Sequence, residues 1–354
     1  MKTTVKITAS GLAWQRHGGV RLAGGDWIEG VSGLSFTTTS TNAAWTPTTV
    51  TKTGGTLTWR VYSATGALLL ESIANKPTFN LSSYAGTKTL RVTSPDGWAA
   101  LTALNFTSTT ASIASLNLSV ATGLTSLILI SLAGLTWTVG AAAPMPTSLT
   151  YLYLQTLTGL TWTVGAAAPM PTGLTSLTLY NLAGLTWTVG AAAPMPTGLT
   201  SLTLYNLAGL TWTVGVAAPM PTGLTTLYLY NLAGLTWTVG VAAPMPTVMQ
   251  TLTLLSLAGL TPIDTWAINS YRTIVYENNL TQAQLDTILI AIWTNKANYT
   301  YATPTLDIAG TGNAAPSGTY QSTCPPVTGK EYAYDLTNGI CTSAGPEWVV
   351  TYTA

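Results

Sequence analysis

LTSLTLYNLAGLTWTVGAAAPMPTG, residues Leu174 to Gly198, returns from Leu199 with one change, Val216 in place of Ala191. Related copies start at Leu124, Leu149 and Leu224, and a partial one starts at Met249. Trp137, Trp162, Trp187, Trp212 and Trp237 mark the 25-residue period. Self-similarity at this spacing predicts a solenoid, in which each unit buries its apolar face against its neighbours.

Side-chain alternation predicts the shape of one coil. In a strand, Leu177 and Leu179 face one way while Ser176, Thr178 and Tyr180 face the other. A second alternation, Leu185-Thr186-Trp187-Thr188-Val189, turns Leu, Trp and Val inward and both threonines outward. Gly190 then turns the chain. Ala191 to Pro196 return it as a polyproline-like stretch, because proline cannot donate to a strand ladder. At ~4.8 Å per strand step, five such coils would stack over roughly 24 Å.

Leu174-x-x-Leu177-x-Leu179-x-x-Leu182 resembles the leucine-rich repeat, LxxLxLxx(N/C)xL. The resemblance implies a mainly β, right-handed, leucine-rich-repeat-like solenoid with parallel sheets over residues 97–260. One position departs from the pattern. Asn181, Asn206 and Asn231 come one residue early, and Leu182, Leu207 and Leu232 stand where the family places asparagine. That puts the family's buried asparagine ladder in doubt here.

The flanks differ from the repeats. Residues 1–44 carry the only histidine, His17, and read as an irregular arm or attachment segment. Residues 45–96 alternate with period two in Thr56–Tyr62 and Lys88–Thr93, which predicts a small β domain or cap. Residues 261–354 read as an α+β terminal cap. It holds one helix at about 281–294, N-capped by Thr281 with Gln284 in the capping-box position; strands and loops fill the remainder.

Within that cap, LTQAQLDTILIAIW, TPTLDIAGTGNAAPSG and EWVVTYT resemble the closing module of leucine-rich-repeat proteins in bacteriophage structural cassettes and related bacterial surface proteins. The likeness spans about residues 279–353. It implies a virion-associated or surface-adhesive role and assigns no binding residue.

Composition narrows the chemistry. Charged residues make up 6% of the 354, against about a quarter in ordinary globular chains. From Gly97 through Ile263 there is no Asp, Glu, Lys, Arg or His. The charge that exists is polarised: residues 1–96 hold nine Lys/Arg and four Asp/Glu, and residues 264–354 hold three and seven. Two solvated caps would explain this, and so would a head-to-tail subunit whose ends attract. A phosphate-binding face needs clustered cations, so nucleic acid is not an expected partner. No apolar run reaches the ~18 residues of a membrane span. The start, MKTTVKITASGLAW, lacks the apolar core of a secretory signal peptide, so the expected setting is a virion or an extracellular surface.

Catalytic and cofactor signatures are missing. A lone histidine supports no triad or zinc site, no phosphate- or dinucleotide-binding fingerprint occurs, and the carboxylates are dispersed. No enzyme activity, metal or cofactor is expected. Two outward features are candidate surfaces. Tyr151, Tyr153, Tyr180, Tyr205, Tyr228 and Tyr230 form an aromatic stripe suited to stacking on sugar rings or packing against a protein; β-propensity and same-face stacking would also produce it. Thr136/Thr138, Thr161/Thr163, Thr186/Thr188, Thr211/Thr213 and Thr236/Thr238 form a paired threonine ladder of the kind ice-binding solenoids present, and again β-propensity alone would place them outward. Cys324 and Cys341 form a disulfide pinning the cap in an oxidising setting, or stay reduced and buried. The expected function is a non-enzymatic structural or adhesion protein, a tail- or head-associated fibre or decoration protein. Its expected partners are other virion proteins, copies of itself or a cell-surface glycan. The alternative is a self-assembling extracellular filament subunit; an ice-binding solenoid ranks third.

Overall fold

A computed structural model describes residues 19–21, 27–29, 34–108, 112–141, 143–239, 243–260, 271–310, 312–320, 324–341 and 345–352. His17 and the first part of the arm lie outside the described residues. The protein is mainly β, a solenoid of about six turns with ~25-residue coils and parallel sheets. An antiparallel sheet lies towards the N-terminus and a few helices towards the C-terminus. Contacts divide it into two units, Met1–Leu149 with Thr156–Thr161, and Thr150–Gln155 with Trp162–Ala354.

In the first unit the antiparallel sheet runs Leu68–Ile73, Thr58–Tyr62, Lys88–Thr93, Leu34–Thr38 and Ser115–Asn117 in spatial order. Both period-two segments are therefore strands. The sheet also takes a strand from before residue 45 and one from after residue 96. Phe36, Trp45, Trp59 and Phe106 fill its core as mutually contacting rings. The buried Lys52 ammonium is held by Asp96 at 2.8 Å and by the Gly55 carbonyl at 2.6 Å. The Lys52 bond, with one from the Gly55 amide, holds the Asp96 carboxyl below the usual carboxylate range. Beyond this sheet, Leu101–Thr107 pairs with Ser126–Ile130 in the parallel sense, which starts the solenoid pattern.

In the second unit, the first arms of successive coils are Tyr151–Gln155, Ser176–Tyr180, Ser201–Tyr205, Thr226–Tyr230 and Thr251–Leu255. They pair in parallel with an offset of one full coil: Leu177 lies opposite Leu202 and Tyr180 opposite Tyr205. Leu177, Leu179, Leu182, Leu185, Trp187 and Val189 and their equivalents are buried, as the alternation predicts. Each buried indole in the described turns finds a carbonyl. Trp162, Trp187, Trp212 and Trp237 donate to Ala168, Ala193, Ala218 and Ala243 at 3.0–3.1 Å. After Trp162 and Trp187 this closes a Gly-Ala-Ala-Ala turn, whose ends also pair, as Gly190 does with Ala193. The return after it is neither strand nor helix, and on it Met195 and Pro196 are buried and complete the coil's core.

The second arms keep a different register. Trp187 lies opposite Leu210 and Thr188 opposite Thr211; the same holds for Trp212 with Leu235 and Thr213 with Thr236. Each strand thus slides two residues past its neighbour. Paired strands stay ~4.8 Å apart on both arms, and on the second arm equivalent residues of successive coils are also offset by about 7 Å along the strand. The slide also explains the glycine before each second arm. A Cβ at Gly209 would lie 2.1 Å from the Leu185 carbonyl oxygen, and one at Gly234 would lie 2.1 Å from that of Leu210.

The parallel sheet continues through Thr273–Glu277, Thr305–Ile308 and Val349–Tyr352. Helix α1, Gln282–Thr294, begins at Thr281 with the expected capping box and buries Leu285, Ile288, Leu289 and Ile292. A second helix, α2, spans Gly329–Asn338, where only strands and loops were expected. Its signals are local: Thr328 and Glu331 form a capping box, and Gly339 ends it at φ 62°. Cys324 and Cys341 are joined as a disulfide with a Cα–Cα distance of 5.2 Å.

Candidate functional site

All six tyrosines of the stripe lie on the outward side of the first-arm sheet, in two kinds of setting. Tyr180, Tyr205 and Tyr230 occupy one column and stack face to face, with centroids 3.9 and 4.4 Å apart and planes within 13° of parallel. Gln155 lies opposite Tyr180 at one end of the column and Leu255 opposite Tyr230 at the other. These rings therefore spend their faces on each other and present edges and hydroxyls outward. The Tyr205 phenol is held above its ordinary range, first by the hydrogen bond it gives Tyr180 and then by burial.

Tyr228 and Tyr153 differ. Tyr228 stands one residue pair over, between Thr203 and Thr253, which are too short to cover its ring. Its centroid is 6.4 Å from that of Tyr205. Burial, then the neighbouring Tyr205, Tyr230 and Glu277, raise its phenol. Tyr153 heads the same column opposite Thr178 and donates its hydroxyl proton to Gln155 Oε1 at 2.5 Å. Exposed Tyr151 lies opposite Ser176. The result is a shallow trough about 14 Å long, three strand steps from Tyr153 to Tyr228. Thr178 and Thr203 form its floor and the Tyr180–Tyr205–Tyr230 stack its wall. No charged residue lines it until Glu277, which lies opposite Leu255. Burial and then Asp307 raise that carboxyl.

The threonine ladder is exposed throughout, from Thr136 and Thr138 to Thr236 and Thr238, but it forms no pair of straight columns. Because of the two-residue slide, Thr163 meets Thr186, Thr188 meets Thr211 and Thr213 meets Thr236. The hydroxyls descend as a staircase, with Thr188 and Thr211 3.1 Å apart.

The same slide holds at the start of the second unit, where Thr163 lies opposite Thr186 rather than Thr188. Thr138 lies on the strand Thr136–Val139, where Thr136 gives its hydroxyl proton to the Ala114 carbonyl at 2.9 Å. Thr161 belongs to the strand Gly159–Val164. At the far end, Thr236 lies opposite Thr213, and Trp237 pairs in parallel with Leu260, so the slide of two residues continues to the last described coil. These changes remove the flat two-column array that motivated ice binding.

Two polar ladders were not foreseen. Thr175, Thr200 and Thr225 each donate a side-chain proton to the carbonyl of the equivalent threonine one coil earlier, at 3.1 Å. The early asparagines form an outer amide ladder, Asn231 to Asn206 to Asn181, with both bonds 2.9 Å. Each asparagine sits at φ near +50°, where it leaves the strand, a conformation asparagine tolerates better than other side chains. In the cap, buried Asn313 accepts from the amides of Asn278 and Leu280 and donates to the carbonyls of Tyr276 and Ile308. The early position of Asn181 was the available signal for the outer ladder, and the NAAPS stretch for Asn313.

Among the described residues, no three His, Cys, Asp or Glu side chains gather where they could hold a metal ion. No helix among them is long and apolar enough to cross a membrane. Comparison with protein-family models, with curated proteins and with solved structures finds no match for this chain.

Proposed function

We propose that this chain is a non-enzymatic, virion-associated structural and adhesion protein, a fibre or decoration protein built on a right-handed, leucine-rich-repeat-like solenoid. The observation that carries the reading is the trough: a surface floored by the hydroxyls of Thr178 and Thr203, with half-buried Tyr153 and Tyr228 at its ends and no charged residue before Glu277. Uncharged aromatic and hydroxyl groups favour a neutral, hydroxyl-rich ligand such as a cell-surface glycan over an ionic one. The likeness of residues 279–353 to closing modules of phage structural proteins supports the virion setting. Binding of the purified chain to intact cells tests the surface. Tyr228→Ala should abolish binding while Tyr205→Phe, which keeps the stack, should leave it unchanged. Equal binding by both variants would remove the trough from the account.

A second reading, a self-assembling extracellular filament subunit, is favoured by the opposite net charges of residues 1–96 and 264–354. Salt-sensitive filaments of the chain recovered from cell surfaces, with no copy recovered in virus particles, would establish it over the virion reading.

A further inference from the structure

The last strand of the parallel sheet, Val349–Tyr352, is an unguarded edge. It pairs on one side with Thr305–Ile308, and the Val349 amide donates to the Pro304 carbonyl at 2.9 Å. Alternate residues of a strand direct their amides to opposite neighbours, so Val350 and Tyr352 turn theirs to the free side. Helix α2 packs near the start of that side, where the Trp348 amide donates to the Leu336 carbonyl at 2.9 Å, and among the described residues no backbone group pairs with the Val350 or Tyr352 amide. Edge strands are ordinarily blunted by lysine, proline, a bulge or a covering element; Val349-Val350-Thr351-Tyr352 contains neither residue and pairs without a bulge.

The inward side of the same edge is unfinished as well. Terminal modules of solenoids ordinarily turn a polar face outward. Here Tyr320 is 61% exposed, beside Tyr334 and Tyr352, and Val327 is 72% exposed. Aromatic edges next to unpaired strand amides are the surface to which an extended segment adds as a further strand.

Residues 1–18 of the chain have the matching chemistry. Thr4-Val5-Lys6-Ile7-Thr8 repeats the outward–inward alternation of the sheet's own strands. Val5 and Ile7 would extend the inward row of Leu306/Ile308 and Val350/Tyr352, with Lys6 on the outward side. That side carries Asp307, opposite Thr351, and exposed Glu347 lies just before the strand. Residues 1–25 hold four cations and no carboxylate, while residues 264–354 carry four more negative than positive charges. We propose that the Val349–Tyr352 edge accepts residues 1–18 of a second copy of the chain as an added strand. This goes beyond the adhesion reading and holds for a virion component and a filament subunit alike.

Sedimentation velocity of the full chain over a concentration series tests the proposal. Two variants address the two halves of the contact. Val350→Pro removes a free-side amide while sparing the pairing with Thr305–Ile308. The triple variant Lys2→Glu, Lys6→Glu, Arg16→Glu reverses the donor's charge and leaves the edge untouched. The unaltered chain should associate at low salt, and high salt or either variant should weaken association about tenfold or more. Excess synthetic peptide of residues 1–18 should disperse the assemblies, and the same peptide carrying the three glutamates should not. A chain that stays monomeric at every concentration would overturn the proposal. So would association that the triple variant leaves intact, even if Val350→Pro fails to fold.

Discussion

Thr188 lies opposite Thr211, their hydroxyls 3.1 Å apart, although Thr213 is its counterpart in the repeat. The two-residue slide behind this pairing makes the second arm climb while the first arm stays level. Gly209 is where the slide brings two backbones together, its added Cβ meeting the Leu185 carbonyl oxygen at 2.1 Å. Gly209→Ala should therefore cost about 2–3 kcal/mol in denaturant unfolding. Gly215→Ala, with nothing within 4 Å of an added Cβ, should cost under about 1 kcal/mol. Equal losses would contradict the register.

The strand exits make a second comparison. Asn206 leaves its strand at φ 51° and Thr156 leaves the equivalent strand at φ 50°. A β-branched residue is strained there. Thr156→Asn should raise stability by about 1 kcal/mol, and Asn206→Val should lower it by about 2 kcal/mol. Thermal melting of both variants measures the difference.

Alkaline pH should weaken the fold. Burial holds the phenols of Tyr271 and Tyr299 above their ordinary range, and hydrogen bonding to Tyr180 does the same for Tyr205. Above about pH 10 the unfolded chain releases phenolic protons that the folded chain retains, so stability is full below that pH and falls as pH rises. Unfolding free energy measured from pH 8 to 11, with phenolate absorbance followed in parallel, should show both changes. Ionisation of all tyrosines near pH 10 without loss of structure would refute it.

Reduction should loosen the cap. The Cys324–Cys341 bond closes 17 residues, and the chain-entropy estimate for such a loop is about 3 kcal/mol. Dithiothreitol should therefore speed hydrogen exchange in α2 and leave exchange in Ser201–Tyr205 unchanged.

The coil was legible because its pattern is strictly local. Leu177, Leu179 and Trp187 alternate with Ser, Thr and Tyr, and period-two burial follows directly. So was α1, whose cap lies in four adjacent letters, Thr281 to Gln284. Helix α2 carries the same signal in Thr328 to Glu331, but its buried face includes Glu331 and Asp335 beside Ala333 and Leu336, so it shows no apolar stripe. The slide of the second arm was not legible, because register depends on how two distant backbones approach, and only Gly209 and its equivalents hint at it. That is why Thr188 reads as the counterpart of Thr213 in the sequence and lies opposite Thr211 in the fold. The tyrosine stripe was visible as a stripe. Its division into a closed stack and half-buried rings at Tyr153 and Tyr228 depends on which residue faces which across strands.

The central claim is that this chain serves as part of an assembled particle. Quantitative mass spectrometry of density-purified particles from lysates of the producing cells tests it most directly. The account predicts that the chain co-purifies with particles at a fixed copy number relative to their shell protein. Recovery of the chain only in particle-free fractions, as free monomer or as a polymer of itself, would contradict it.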